Sequence, residues 1–118
     1  MNFKDSYTLE QRTTESKKIM NKHPFMFPVI LSVSNDSLFR SIDLPNPDKF
    51  KYLVPNISMS QFIFVVRRKL RLKEHVAIYF MIKNVVPLGS ELISTIYEKY
   101  KDEDGFLYIT VTPESFFG

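Results

Sequence analysis

The sequence contains no cysteine. That excludes a disulfide framework, a thiolate metal site and a thiol nucleophile, and it fits a reducing compartment. Tryptophan is absent too, and there are only two histidines. His23 and His75 are single and far apart, so no metal or catalytic role is expected of either. No nucleophile, base and orienting group cluster at a useful spacing, which argues against an enzyme. The acidic run Asp102-Glu103-Asp104 lacks the spacing of a calcium loop and reads as a solvated turn. No stretch approaches the ~20 apolar residues of a membrane span. Met1-Asn2-Phe3-Lys4-Asp5 has no apolar signal-peptide core, so the expected location is cytosol or nucleus. There is no internal repeat and no low-complexity tract.

What is present suits one globular domain. The chain has 118 residues, 44% of them hydrophobic, with 11 Phe and 6 Tyr. At this length about two thirds of the unfolded surface can be buried. The net charge of +3 permits attraction to acidic peptides, anionic lipid or nucleic acid and selects none of them. Sheet aromatics can serve as stacking platforms for nucleic acid, but the glycine-aromatic signature of an RNA-binding sheet is missing. No nucleic-acid partner is therefore expected.

Thr8-Leu9-Glu10-Gln11 has the form of a capping box, and a helix from there runs towards Lys22. His23-Pro24 ends it, because the residue before proline avoids the α region. The helix is polar apart from Leu9, Ile19 and Met20, so it must lie on a larger body. A strand is predicted over 28–33, with Val29, Leu31 and Val33 on one face and Ile30 on the other. A long polar connection, 34–49, precedes a second strand over 50–54 that ends at Pro55. Ser58-Met59-Ser60-Gln61 is a second capping box. It opens a helix whose Met59, Phe62, Ile63, Val66 and Leu70 recur at helical spacing. The run 62–66 is apolar throughout, which puts Val65 on a second, outward surface. Arg67, Arg68, Lys69 and Arg71 close the helix, where cations suit the macrodipole.

The unbroken apolar run 76–82 suits a central strand buried on both faces, and Val85-Val86-Pro87 a short edge piece. Ser90 is placed to cap a short helix carrying Leu92, Ile93, Ile96, Tyr97 and Tyr100. The last strand follows the 102–105 turn, with Leu107, Ile109 and Val111 inward. The fold class is α+β. The element order fits a ubiquitin-like β-grasp preceded by an extra helix, with a ferredoxin-like fold as the rival from pattern alone. The chain divides into an N-terminal helical extension (1–26), a ubiquitin-like domain (27–113) and a tail (114–118). Taken alone, the ending Phe116-Phe117-Gly118 reads as a frayed terminus. The alternative is a reachable glycine carboxylate that, lacking a Cβ, passes through narrow channels.

Five stretches carry a family resemblance. They are Lys51-Tyr52-Leu53-Val54-Pro55; Gln61-Phe62 with Arg67-Arg68-Lys69; Asn84-Val85-Val86-Pro87; Asp102 to Tyr108, which spells D-E-D-G-F-L-Y; and Glu114-Ser115-Phe116-Phe117-Gly118. Together they resemble the autophagy ubiquitin-like modifiers, the family of the GABA-receptor-associated protein and of microtubule-associated light chain 3. The resemblance runs from about Leu9 to Gly118 and implies a β-grasp with two extra N-terminal helices. It also implies a conjugation cycle. Gly118 matches the glycine that is activated, passed as a thioester to a conjugating enzyme and amide-linked to phosphatidylethanolamine. A cysteine protease that delipidates the product, and trims longer precursors, belongs to the same cycle. No cofactor is implied beyond the covalent lipid. The lipidated form would sit on autophagosomal or related vesicle membranes and recruit cargo receptors. A non-conjugated adaptor that uses only a peptide groove is the alternative.

In the family that groove takes aromatic-x-x-aliphatic motifs by strand addition. Carried over by position, the aromatic pocket is Glu15, Ile19, Pro28, Ile30, Lys51, Leu53 and Phe106. The aliphatic pocket is Tyr52, Val54, Pro55, Ile57, Phe62, Val65, Val66 and Lys69. Lys49, with Lys51, Arg67 and Lys69, would meet acidic residues that flank such motifs, or be a solvated basic face. From the sequence alone, Ile30, Leu53, Val54 and Phe62 suit a hydrophobic core better than a groove. The family's Pro-Asp-Arg stretch is Pro24-Phe25-Met26 here, which removes a cation from the aromatic end. The 34–49 connection is longer than in animal members. Its Phe39-Arg40-Ser41-Ile42 has the motif's own pattern, so it either docks in the groove or anchors the loop.

Overall fold

The computed structural model of the chain describes residues 3–33, 51–71 and 77–113. Four helices and four strands follow one another as α1 (Phe3–Ser6), α2 (Leu9–Lys22), β1 (Met26–Val33), β2 (Lys51–Pro55), α3 (Met59–Lys69), β3 (Ile78–Met81), α4 (Ile93–Tyr100) and β4 (Leu107–Pro113). Both predicted capping boxes form. The Thr8 and Ser58 hydroxyls accept from the N–H groups of Gln11 and Gln61, whose side chains accept in turn from the cap N–H groups. Each box is a signal within four residues, which is why the helix starts were readable. At the end of α2 the His23 N–H donates to the Ile19 carbonyl (2.8 Å), and the Met26 N–H to the His23 carbonyl (3.1 Å). The chain thus turns through Pro24-Phe25 directly into β1.

The sheet order is β2-β1-β4-β3. β1 and β2 form an antiparallel pair with Met26 opposite Pro55, Pro28 opposite Leu53 and Ile30 opposite Lys51. β4 lies parallel to β1, Leu31 opposite Ile109, and antiparallel to β3, Phe80 opposite Val111. A β-hairpin, a helix on one face and a last strand inserted parallel to the first make this a ubiquitin-like β-grasp, with α1 and α2 added in front.

The pleat sorts the core into two. On one face Val29, Leu31, Leu107, Ile109 and Val111 pack against Met59, Phe62 and Val66 of α3 and Ile93, Ile96 and Tyr97 of α4. On the other, Ile30 and Phe106 form a smaller cluster with Phe3 of α1, joined by half-buried Ile19 and Tyr108. Ser16 is the buried residue of α2, while Leu9 is exposed, as expected of a polar helix resting on a formed sheet.

Three local expectations give way. The described part of the run 76–82 does not make a central strand: β3 is an edge of the sheet among the described residues, and Phe80 is the only one of its four residues that is buried. Sequence insertion of β4 beside β1, not apolar content, decides which strands are central. Ser90 does not cap α4. Leu92 occupies the cap position without a side-chain bond, and the first N–H groups are met from across the chain, Ile93 by the Ile57 carbonyl (2.9 Å) and Ser94 by Asn56 Oδ1 (3.0 Å). The 102–105 turn is not simply solvated, since Asp104 is fully buried.

Candidate functional site

β2 is an edge of the sheet among the described residues, and its two faces look at different neighbours. Lys51 and Leu53 share the pleat face of Pro28 and Ile30, towards α2. Tyr52 and Val54 share that of Val29, towards α3. A cavity opens on each side.

The first, of about 780 Å³, lies between α2 and β2. Glu15, Ile19, Lys51 and Leu53 line it, joined by Gln11, Thr14, Lys18 and His23 along the same helix. Lys51 bonds Glu15 across its mouth, and the ammonium also stands 5.6 Å from the centre of the Phe3 ring. The remaining aromatic-pocket candidates are beneath the surface: Pro28 is buried, and Ile30 and Phe106 belong to the small cluster that Ile19 joins. They support the wall without lining the cavity.

The second, of about 660 Å³, lies between β2 and α3. Tyr52, Val54, Pro55, Ile57, Phe62, Val65 and Lys69 all line it. The Lys69 ammonium stands 5.1 Å from the Tyr52 ring centre, and Tyr52 meets Phe62 edge-on at 5.8 Å. Burial holds the Tyr52 phenol above its ordinary pKa. Val66 does not line this cavity. It falls on the inward face of α3 and is fully buried in the main core. Val65, on the outward face, is 38% exposed, and its neighbour Phe64 is 61% exposed and also lines the cavity. Sequence reasoning passed over Phe64, although the all-apolar run 62–66 that singled out Val65 applied to it equally. Lys49, the Phe39-Arg40-Ser41-Ile42 pattern and Gly118 lie outside the described residues.

A polar network fixes α2, and so the outer wall of the first cavity. Asp104 accepts from the Arg12 guanidinium, the Tyr108 hydroxyl and the Phe106 N–H, while its carbonyl accepts from Ser16. Lys4 of α1 pairs with Asp102 at 2.7 Å. Burial pushes the Asp102 carboxyl up, but the Lys4 hydrogen bond, the Asp104 N–H and the charges of Lys4 and Arg12 outweigh it and hold the pKa below the ordinary value. Burial, then the bond to Asp104, raises the Tyr108 phenol far above its ordinary value. Gly105 has φ +90°, and a Cβ there would meet Ser16 Oγ at 2.5 Å. Only glycine brings the turn this close to the helix.

The described residues form a ubiquitin-like sheet with a cavity on each side of one edge strand. Comparison with known proteins places it more narrowly. The family described as "Autophagy protein Atg8 ubiquitin like" matches residues 11–118, and the chain belongs to that family. It is 44% identical to autophagy-related protein 8a of Arabidopsis thaliana over 98% of this chain and 92% of that one. It is 43% identical to autophagy-related protein 8 of Schizosaccharomyces pombe over 98% and 93%. Among solved structures, Trypanosoma brucei ATG8 superposes with a TM-score of 0.84 at 33% identity, over 97% of this chain and 95% of that one. Plasmodium falciparum Atg8 in complex with a Plasmodium falciparum Atg3 peptide does so with 0.80 at 33%, over 94% of each.

Proposed function

We propose that this autophagy ubiquitin-like modifier is conjugated through Gly118 to phosphatidylethanolamine and, on the membrane, binds aromatic-x-x-aliphatic peptides along β2. One observation carries the peptide reading. The two cavities flank one sheet edge, one on its α2 side and one on its α3 side, and meet at Tyr52 and Leu53, which line both. Side chains of an added strand alternate between faces, so two anchors three residues apart fall on opposite faces, one per cavity. The first cavity is centred on 51–53 and the second extends to Pro55 and Ile57. An aromatic in the first and an aliphatic in the second therefore run parallel to β2. An aromatic side chain buries ~150–250 Å², roughly 4–6 kcal/mol at ~25 cal/mol per Å². With a second anchor and backbone pairing this is compatible with the ~8 kcal/mol of micromolar affinity.

In the lipid reading the chain is a substrate. Its activating enzyme, conjugating enzyme and delipidating protease supply the thiols that it lacks. Two acyl chains contribute ~0.8 kcal/mol per buried CH₂, so anchoring needs no apolar helix. Among the described residues no helix is long and apolar enough to cross a membrane. The Atg3 peptide bound to the Plasmodium relative supports a conjugating enzyme as one partner, and cargo receptors carrying the motif are others. The protein then divides between cytoplasm and the surface of autophagosomal vesicles.

The test is intact mass after reaction with activating and conjugating enzymes, ATP and phosphatidylethanolamine liposomes. The expected result is a lipid-sized gain that Gly118→Ala abolishes. An equal gain in the variant, or none in the wild type, favours the non-conjugated adaptor. For the groove, deleting one intervening residue of a motif peptide puts both anchors on one face. Binding is expected to weaken at least tenfold, and unchanged binding would sink the two-face reading.

A further inference from the structure

We infer that Phe25 forms a third subsite of the groove, and that it selects an apolar side chain two residues beyond the aromatic anchor of a bound peptide. The inference rests on the peptide reading above. Phe25 is 85% exposed, more than the other large hydrophobic residues described. Exposure of a single apolar residue means little by itself, and its position is what counts. Phe25 sits on the turn that the Met26-to-His23 hydrogen bond closes. Two residues before it His23 lines the first cavity. One residue after it Met26 pairs with Pro55, which lines the second. The ring is therefore tethered at the end of the groove towards which β2 runs.

The pleat says which peptide residue arrives there. A peptide parallel to β2, with its aromatic over Lys51–Leu53, carries the next side chain of the same face two residues on. It is ~6.6–7 Å further along the strand, level with Pro55 and its partner Met26. The first intervening residue points to the other face, and the aliphatic anchor takes the second cavity. The side chain at plus two thus lies over Pro55 on the α2 side, and the Phe25 ring, which lines neither cavity in the free protein, reaches it across Pro55 from the entry to β1. An acidic side chain at plus two gains little here. The turn itself carries no cation, and Lys22, which lines the first cavity beside His23, is exposed, where ion pairs contribute little. An apolar side chain removes area on both itself and the ring from water. Because the turn is already closed by a backbone bond, the ordering cost on binding is confined to the Phe25 side chain.

The test is fluorescence anisotropy with two peptides that differ at one position, core Trp-Ala-Leu-Leu against core Trp-Ala-Asp-Leu, on the wild type, Phe25→Ala and Phe25→Lys. The wild type is expected to prefer the leucine peptide about tenfold. Phe25→Ala should bring the preference to within about twofold, and Phe25→Lys should reverse it, with the thermal midpoint unchanged in both. An equal preference in wild type and Phe25→Ala overturns the subsite while leaving the groove standing. Binding of neither peptide to the wild type overturns the groove reading and the subsite with it. If Phe25→Ala leaves both peptides unaffected but reduces co-sedimentation with phosphatidylcholine vesicles, the ring contacts lipid and the inference fails.

Discussion

The carboxylate of Asp104 accepts from a guanidinium, a phenol and a backbone N–H, and its side chain is fully buried. A buried carboxylate persists only when its oxygens are satisfied, so each donor is a stability determinant. Tyr108→Phe removes one of them and is expected to cost about 1–2 kcal/mol at neutral pH. The phenol also sets a pH dependence with a definite sign. Its folded pKa lies above its unfolded value of ~10. The proton it keeps therefore contributes stability that is complete below about pH 10 and is lost as pH rises from there towards the folded pKa. Urea midpoints of wild type and Tyr108→Phe should then converge between pH 8 and pH 11. A constant gap across that range would show that the phenol does not ionise more readily in the unfolded chain. Asp102, held low, works in the opposite sense. Its contribution is present above ~pH 4 and is lost as pH falls through the folded value.

At the scale of the element, α4 shows how a helix start can be set from a distance. Its first free N–H groups go to the Ile57 carbonyl and to Asn56 Oδ1, a residue 38 positions away. Asn56→Ala is expected to cost about 1 kcal/mol, the usual worth of a cap. Ser90→Ala should change the urea midpoint little, because Ser90 does not hold the cap position. The reverse order of effects would restore Ser90 as the cap. The same contrast explains what the sequence made legible. The capping boxes at Thr8 and Ser58 are complete within four residues, and they put the starts of α2 and α3 in plain view. The alternation of Val29, Leu31 and Val33 against Ile30 fixed the faces of β1, and the apolar run around Val65 marked an outward surface of α3. What stayed hidden was nonlocal. The edge position of β3 follows from β4 pairing in parallel with β1. The burial of Asp104 follows from Arg12, 92 residues away. Val66 was assigned to the groove by position, but the helical period turns it into the core beside Phe62.

In the molecule as a whole, the two sides of the sheet are held by different physics. The α3–α4 side is a large apolar core. The α2 side has one small cluster of three buried residues and leans on the Asp104 network. The first cavity of the groove lies on this weaker side, with α2 as its outer wall. Elements with few buried apolar contacts open locally at a lower free energy than the core. Arg12→Ala leaves the Asp104 carboxylate buried without its charged partner, a change worth roughly 3–5 kcal/mol, and the loss should fall on the docking of α2. Amide exchange in α2 is then expected to speed up at least a hundredfold; amides in β1 and β4, which exchange through global opening, lose protection with the global stability but stay slower than those of α2 in both proteins. Motif peptides should lose affinity in the same variant, because the aromatic cavity lacks its wall for part of the time. Adding peptide should restore protection of α2 amides, since a ligand that binds only the closed form stabilises it in proportion to its concentration. Equal protection of α2 and the central strands in the wild type would mean that the molecule opens as one unit. The groove could not then be tuned separately from the fold.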